Sequence, residues 1–574
     1  MGACVAVRPT PSLIRSICAE CSVGCGVVAR TRDDRRVELE GDMRHPANRG
    51  DLCHRAVQPG ESASLDQRLL HPKIQGRKAG WPRAAAHIAK RLADFVARHG
   101  PQSVAMRLSD RLLTEDYYIA NKMMKGFIGS ADIALLPDPH SPALQSPADA
   151  LIMALGEDVV PATADDIDRA KLVIIAGTDI RRDLPILWRR IVAAQESQAA
   201  TIVMIGGEKP EDSAASDIHL AIRHLAIRPG TESILFTGLL AFSRRAGIVD
   251  RPFLESHVIT PRGFWDALEE GHDLWSTARA CDVAPADLQS FYDLFAANPK
   301  TMTLFGDASL TGAVLNAHLA TGRIGRPGAA PFPLAAASNA MGAREVGISP
   351  ATLAAHMDFT ADHVALAGRF WGGANMAAQP VESAGHLIGP ETRALWLVGD
   401  DVLQPQDADI IRDAQAAGLF VIHSHSVADD SPADVHLPAA GWGEQNGTST
   451  GFDRMISRQR PFFPTAGEAR PHWWIMTQVA RDMGWRDAFY FAYPAEVYRE
   501  HARLSAYGNA GARLFDIRRH AAISNPAYDE MTSWRWGGAP FMDGRFHTAD
   551  GRARLMPVEQ AISSGAGKTL VPGA

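Results

Sequence analysis

Leu172-Val173-Ile174-Ile175-Ala176-Gly177-Thr178-Asp179 and, much later, Ala394-Leu395-Trp396-Leu397-Val398-Gly399-Asp400-Asp401 decide the fold. Each is a short, unbroken apolar run that ends in glycine and an acidic residue, which reads as a strand buried on both faces. The first is followed by a helical pattern over Ile186 to Gln195 and then by the apolar run Thr201 to Ile205, ending in Gly206-Gly207. After the second, a helix over Ala408 to Ala417 precedes the apolar run Leu419 to Ile422. Strands that each feed a helix build βαβ units, so two doubly wound α/β domains with mostly parallel sheets are expected, near 170–240 and 390–440. In such domains ligands bind beyond the carboxyl ends of the strands, which directs attention to the loops at Gly177 and Gly399. No GxGxxG follows any strand, so an ordinary dinucleotide site is not indicated.

The rest of the chain agrees with a multidomain protein. Its 574 residues correspond to three or four domains at about 150 residues each. Hydrophobic residues make up 46%, charged residues 21%, and the net charge is −7, which excludes disordered and fibrous classes. No basic block points to nucleic acid as a partner. No apolar segment could span a membrane, because the longest uncharged stretch, Pro327 to Ala343, is broken by prolines and glycines. The N-terminus shows no basic and apolar leader, no twin arginine and no myristoylation pattern, so a cytoplasmic, reducing location is expected. From Trp81, Ala85, Ile88, Ala89, Leu92 and Phe95 recur at helical spacing. The tandem His219 to Arg223 and His224 to Arg228 is too short for a repeat fold and reads as a lengthened surface loop.

Cysteine usage is the sharpest chemical signal. Cys18-x2-Cys21-x3-Cys25 is followed by Cys53, and four thiolates so spaced can surround one compact centre. The candidates are a [4Fe–4S] cluster and a tetrahedral zinc. Zinc sites usually pair CxxC with a second close pair, whereas Cys53 stands alone, and Gly24 and Gly26 leave room near the backbone for a bulkier group. Cys4 and Cys281 have no partner at ligand spacing and read as a terminal thiol and a core residue.

The segments CAECSVGCGV (18–27), GDMRHPANRGDLC (41–53) and RLLHP (68–72) together resemble the N-terminus of the molybdopterin oxidoreductases that carry bis-molybdopterin guanine dinucleotide. That family includes formate dehydrogenases and nitrate reductases. LLTEDYYIANKMMKGFIGSADI (112–133), LGEDVVP (155–161), PILWRR (185–190), LATGRIGRPGAAPF (319–332), SNAMGAREVG (338–347), GEARPHWW (467–474) and GRFHTADGRAR (544–554) resemble its assimilatory nitrate reductase branch. The resemblance implies a [4Fe–4S] domain over 1–62, a first α/β pterin-binding domain over 63–135 and 326–560 with segments returning to the cluster domain, and a second over 136–325. It implies that Cys18, Cys21, Cys25 and Cys53 hold the cluster. Arg55 takes the place of a basic residue, usually lysine, that relays electrons between cluster and pterin. Gly177, Thr178 and Asp179 in one domain, and Gly399 and Asp400 in the other, are the implied sites of the nucleotide tails.

The expected activity is reduction of nitrate to nitrite at molybdenum, with electrons from a donor protein or reductase subunit; formate oxidation is the alternative substrate reading. The chain also departs from the family. Where relatives place a molybdenum-binding Cys or selenocysteine, often before His-Ser-Pro, it reads Asp138-Pro139-His140-Ser141-Pro142-Ala143. The registers put Pro139, His140 or Ala143 at the metal, and only His140 could ligate. Gly206-Gly207-Glu208-Lys209 replaces an Asp-Pro-Arg run, and GTSTGFDRM (447–455) keeps part of a GTVTNSERR pattern. The small-residue tail 561–574 stands where relatives enter a β-rich domain over the pterins, so that lid is expected to be missing. A third reading is therefore an eroded paralogue that keeps the iron–sulfur cluster but performs no molybdenum catalysis.

Overall fold

The computed structural model describes residues 13–31, 36–56, 65–136, 147–207, 222–335, 337–373, 375–381, 386–400, 403 and 405–558. Leu172–Ala176 is the middle strand of a five-stranded sheet whose spatial order is Ile222–Ala226, Thr201–Gly206, Leu172–Ala176, Thr301–Phe305, Ala330–Pro333. All four pairings are parallel. Every residue of Leu172–Ala176 and Thr301–Phe305 is buried. Alternate side chains serve opposite cores: Val173 and Ile175 pack in one, and Leu172, Ile174 and Ala176 in the other. The period-two geometry of a strand covered on both faces produces this division. Helices Pro185–Gln198, Glu232–Arg245 and Thr311–Ala320 supply the cover.

A second, seven-stranded sheet runs Arg77–Lys78, Lys73–Ile74, Val435–Pro438, Phe420–His425, Ala394–Val398, Val104–Ser109, Ile133–Leu136. Five strands are parallel, and the charged hairpin formed by Lys73–Ile74 and Arg77–Lys78 is antiparallel at one edge. Its turn residues Gln75 (φ 47°) and Gly76 (φ 72°) both adopt the left-handed conformation that a tight hairpin requires. Helix Trp81–His99 lays Ala85, Ile88, Ala89, Leu92 and Phe95 against this layer, as the periodicity predicts.

The cluster domain contributes an antiparallel sheet of Leu13–Ile17, Gly26–Thr31 and Val37–Gly41. A further antiparallel sheet, Gly447–Thr450, Met455–Gln459 and Trp534–Arg535, joins it to the rest. Ser16 Oγ donates to Arg460 O at 3.0 Å, and Phe452 N donates to Ser22 O at 3.0 Å. The chain is thus a small N-terminal domain with two α/β layers of mostly parallel strands. No helix among the described residues is long and apolar enough to cross a membrane.

Three expectations change. Ala330–Pro333 hydrogen-bonds along Thr301–Phe305, so the domain break expected at 325/326 falls beyond Pro333. Ile222–Ala226, within the tandem, is an edge strand and not a lengthened loop, because it pairs in register with Thr201–Gly206. The space beside Gly26 is taken by His45, whose Cβ lies 2.3 Å from where a Gly26 Cβ would stand, so this glycine serves packing and not a cluster; Gly24, at φ +60°, does face open space. The tail 561–574 and Cys4 lie outside the described residues.

Candidate active site

Cys18, Cys21, Cys25 and Cys53 are all buried and free. Cys18 N donates to Cys25 O at 2.8 Å, closing the loop that carries three of them, and Gly24 N donates to Cys21 O at 3.1 Å. Burial pushes the Cys21 thiol up to about 11 and drives Cys18 and Cys25 upward too; charge on neighbouring cysteines, Cys53 among them, adds to each shift. Thiols whose ionisation burial opposes so strongly need a cationic centre to become thiolates together, which an iron–sulfur cluster or a zinc ion would supply.

Arg55 projects from the turn His54–Ala56 toward the five-stranded sheet. Its guanidinium donates to Asp183 O at 3.3 Å and to Arg182 O, on the short helix Ile180–Asp183 that follows Gly177-Thr178-Asp179. The same guanidinium favours the Cys21 thiolate. Arg55 therefore bridges the cysteines and the first candidate nucleotide loop.

Both candidate loops sit where strand order reverses. In chain order the five-stranded sheet reads 3-2-1-4-5, and the parallel strands of the other read 2-1-3-4-5 from its Ile133–Leu136 edge. These are the two common doubly wound orders, and each opens a crevice at its reversal. Gly177, at φ +62°, ends Leu172–Ala176 opposite Asp307, which follows the neighbouring strand; an added Cβ would come within 3.0 Å of Asp307 Cβ. Thr178 Oγ1 lies 3.4 Å from Asp183 Oδ2, and Asp179 is exposed. Gly399, at φ +120°, ends Ala394–Val398 against Ser109, the last residue of Val104–Ser109. Asp400 is turned to local use: its carboxylate accepts from Ser426 N at 2.5 Å, Ser426 Oγ at 2.6 Å and Val427 N at 3.2 Å.

A cleft of about 510 Å³ is lined by Leu135, Ala148, Glu157, Asp158, Arg344, His356, Arg513 and His547, among others. The segment 137–146, with Pro139, His140 and Ala143, lies outside the described residues; Leu135 and Ala148 on either side of it line the cleft. Glu208 and Lys209 also lie outside them.

Sequence reasoning missed the residues that line this cleft. Glu157, in the LGED segment, accepts from His356 Nδ1 at 2.7 Å, Leu514 N at 2.6 Å and Phe515 N at 2.9 Å. Burial works to raise its carboxyl, but those hydrogen bonds outweigh it and hold Glu157 below the ordinary range. Burial likewise opposes a charged His356, yet Glu157 holds its imidazole above the usual value. His356 Nε2 is buried without a hydrogen-bond partner among the described residues. Ala355 (φ 56°) and His356 (φ 57°) both adopt the left-handed conformation, strain of the kind that gathers at functional sites. Arg344 pairs with Asp158 at 2.9 Å. Next to it Glu345 accepts from Thr450 Oγ1 at 2.8 Å and Trp536 Nε1 at 2.6 Å, and burial pushes its carboxyl up to about 7. SNAMGAREVG and GTST thus meet through this carboxylate, a contact that no local pattern announces.

A domain with four buried cysteines, joined through Arg55 to one of two doubly wound crevices, suits a protein that holds an iron–sulfur centre beside a nucleotide-type ligand. The chain belongs to the molybdopterin oxidoreductase family: that family's model matches residues 68–482, and the model of the molybdopterin oxidoreductase Fe4S4 domain matches 12–60. Its cofactors are accordingly a [4Fe–4S] cluster and molybdenum–molybdopterin, and the buried thiols and strand-end glycines fit them. It is 38% identical to a nitrate reductase of Klebsiella oxytoca over 95% of this chain and 64% of that protein. It is 35% identical to a nitrate reductase of Shewanella frigidimarina over 95% of this chain and 61% of that protein. The chain therefore spans less than two thirds of the length of these relatives. Among solved structures, acetylene hydratase from Pelobacter acetylenicus shares the fold with a TM-score of 0.69 and 15% identity, covering 96% of this chain and 78% of that one.

Proposed function

We propose that this chain carries the catalytic core of a cytoplasmic, assimilatory-type nitrate reductase, in which nitrate takes up two electrons and two protons to give nitrite and water. The observation that carries this reading is identity above one third with two nitrate reductases along nearly the whole chain. When bound, the cluster held by Cys18, Cys21, Cys25 and Cys53 supplies single electrons, and the molybdenum–pterin supplies an oxygen-atom acceptor. Two nucleotide tails fit the paired crevices, one at Gly177, Thr178 and Asp179 and one at Gly399 and Asp400, which favours the bis-guanine-dinucleotide form. Arg55 would be the relay group between cluster and pterin, a role supported by its charge near Cys21 and its bonds to the carbonyls of Arg182 and Asp183.

The cleft supplies the acid and the anion-binding charge. Arg344, paired with Asp158, and Arg513 line it among several carboxylates, so an oxyanion would be held locally by a guanidinium and not drawn in by the field of the whole cleft. His356, drawn toward its protonated form by Glu157 and unpartnered at Nε2, is the candidate donor of a proton to the oxygen that leaves as water. His140 is the candidate ligand or neighbour of the metal in a segment that offers no cysteine. An electron-donor protein or reductase subunit completes the reaction, and neither a membrane nor a nucleic acid is required.

The test is metal analysis of protein purified without oxygen, followed by assays with reduced viologen. About four iron and about one molybdenum per chain, with nitrate reduction, support the reading. Molybdenum with formate oxidation and no nitrate reduction would replace the substrate. Iron without molybdenum would leave an iron–sulfur protein without molybdenum catalysis, and zinc in place of iron would remove the cluster itself.

A further inference from the structure

Strand Phe420–His425 ends in His423-Ser424-His425, and the next strand, Val435–Pro438, carries His436. Alternation along a strand puts His423 and His425 on one face, and parallel pairing sets His436 directly beside His423. The rings of His423 and His425 stack with centroids 3.9 Å apart and planes 5° from parallel, and the His436 ring is 5.2 Å from His425. Asp429, on the exposed loop that follows, brings a carboxylate oxygen to 3.6 Å from His425 Nδ1. One donor atom from each of the four residues lies within 4.8 Å of all the others.

The hydrogen bonds around this group leave one centre incomplete. His423 Nε2 donates to Gly399 O at 2.9 Å, so its Nδ1 is an acceptor, now facing Ser431 Oγ at 2.8 Å. His425 Nε2 and His436 Nδ1 are 3.0 Å apart and can share only one proton. His425 Nδ1 is buried with no hydrogen-bond partner, although a carboxylate stands just beyond reach. A buried ring nitrogen is rarely left so. A cation among the four groups would satisfy them together, with Ser431 giving up its place at His423.

We propose that His423, His425, His436 and Asp429 form a closed, tetrahedral site for one divalent transition-metal ion of the zinc class, separate from the cluster cysteines and from the molybdenum cleft. Three imidazoles and a carboxylate are a borderline-soft set that prefers zinc over magnesium or calcium. Ligand distances of about 2.0–2.2 Å put tetrahedral donors about 3.3 Å apart, and because imidazole lone pairs lie in the ring plane, one of the two stacked rings must turn out of the stack to close the set. The bond from His423 to Gly399 O is the outer contact that orients a ligating imidazole. Four protein ligands leave no open position, so the ion acts as a staple: it ties two strands and the exposed Asp429 loop to the backbone of the Gly399 turn. The proposal does not depend on molybdenum chemistry.

The experiment takes the full chain with its iron–sulfur cluster in place, equilibrates it with zinc and desalts it. Zinc and iron are counted in the native protein and in Asp429→Ala and His436→Gln. The native protein should retain about one zinc more than either variant at unchanged iron, with affinity about tenfold or more weaker in each variant. Cobalt substitution should give tetrahedral absorption without thiolate-to-cobalt charge transfer. Zinc should raise the thermal midpoint of the native protein more than that of Asp429→Ala at the same zinc concentration. Asp429 is exposed, so this variant stays informative if His436→Gln does not fold. Equal zinc in all three proteins, or cobalt bound through thiolates, would overturn the proposal.

Discussion

Gly399→Ala tests the claim that close backbone approach makes the Gly399 crevice. A Cβ at 399 would lie 2.4 Å from Ser109 Cβ and 3.4 Å from Ser109 Oγ. Carbon contacts settle near 3.5–4.0 Å, so the two strand ends must part by about 1 Å. Overpacking of this kind costs about 1–3 kcal/mol, and alanine at φ +120° adds about 1–3 kcal/mol. The sum is about 2–6 kcal/mol. If the 574 residues unfold together, the unfolding entropy is about 1.2 kcal/mol per kelvin, so the thermal midpoint should fall by about 2–5 °C. Ser109→Gly removes the atoms that clash and leaves φ untouched, so the double variant should regain the overpacking part, about 1–3 kcal/mol. The assay is a differential thermal scan of native, single and double variants, with guanine nucleotide released by acid as a count of retained pterin. The double variant falling at or below Gly399→Ala in midpoint would refute the steric argument. Unchanged nucleotide in Gly399→Ala, with the midpoint lowered, would separate this crevice from the cofactor.

Other predictions follow the buried charges. Glu345 holds its proton up to about 7 when folded against an ordinary 4.5, so the folded state binds the extra proton and stability falls as pH rises from 4.5 to 7, by about 3 kcal/mol in full. Glu345→Gln should flatten that slope, and scans at pH 5 and 8 read it; an unchanged slope assigns it elsewhere. For the Glu157–His356 pair the two signs differ. His356 is raised, so its contribution is whole below 6.5 and fades as pH climbs through the folded value; Glu157 is lowered, so its contribution is whole above 4.5 and fades in acid. His356→Gln should thus cost most between about pH 4.5 and 6.5 and least at pH 9, and a uniform loss across that range would contradict the pairing. Arg55→Ala removes a positive charge beside the cysteines and should lower the cluster's reduction potential by tens of millivolts, on the order of one screened charge. Arg55→Lys should leave the potential nearly unchanged in an electron-resonance redox titration, and equal shifts in both variants would point to the lost carbonyl contacts.

What the sequence disclosed follows from the range of the forces that set each feature. Leu172–Ala176 and Ala394–Val398 were legible to the residue because a strand covered on both faces must be continuously apolar and must end where glycine lets the chain turn. Their partners across each crevice were not. Val104–Ser109 contains Arg107, fully buried, and nothing local marks a strand whose arginine is matched 2.8 Å away by Asp132 of a neighbouring segment. The two glycine turns were therefore legible as strand ends, while the reversal of strand order beside them was invisible. The Cys18–Cys25 motif survives translation into structure because its spacing is short. Glu345 with Thr450, Glu157 with His356, and His425 with His436 depend on contacts between distant segments that only the folded chain creates. One local signal does exist: His423-Ser424-His425 alternates on a strand, and alternation is enough to say that two imidazoles share a face. Had strand Val435–Pro438 been read beside it, His436 would have made a third. A parallel sheet thus turns residues without local meaning into neighbours, so the chemistry least visible in a doubly wound protein is the chemistry that spans adjacent strands.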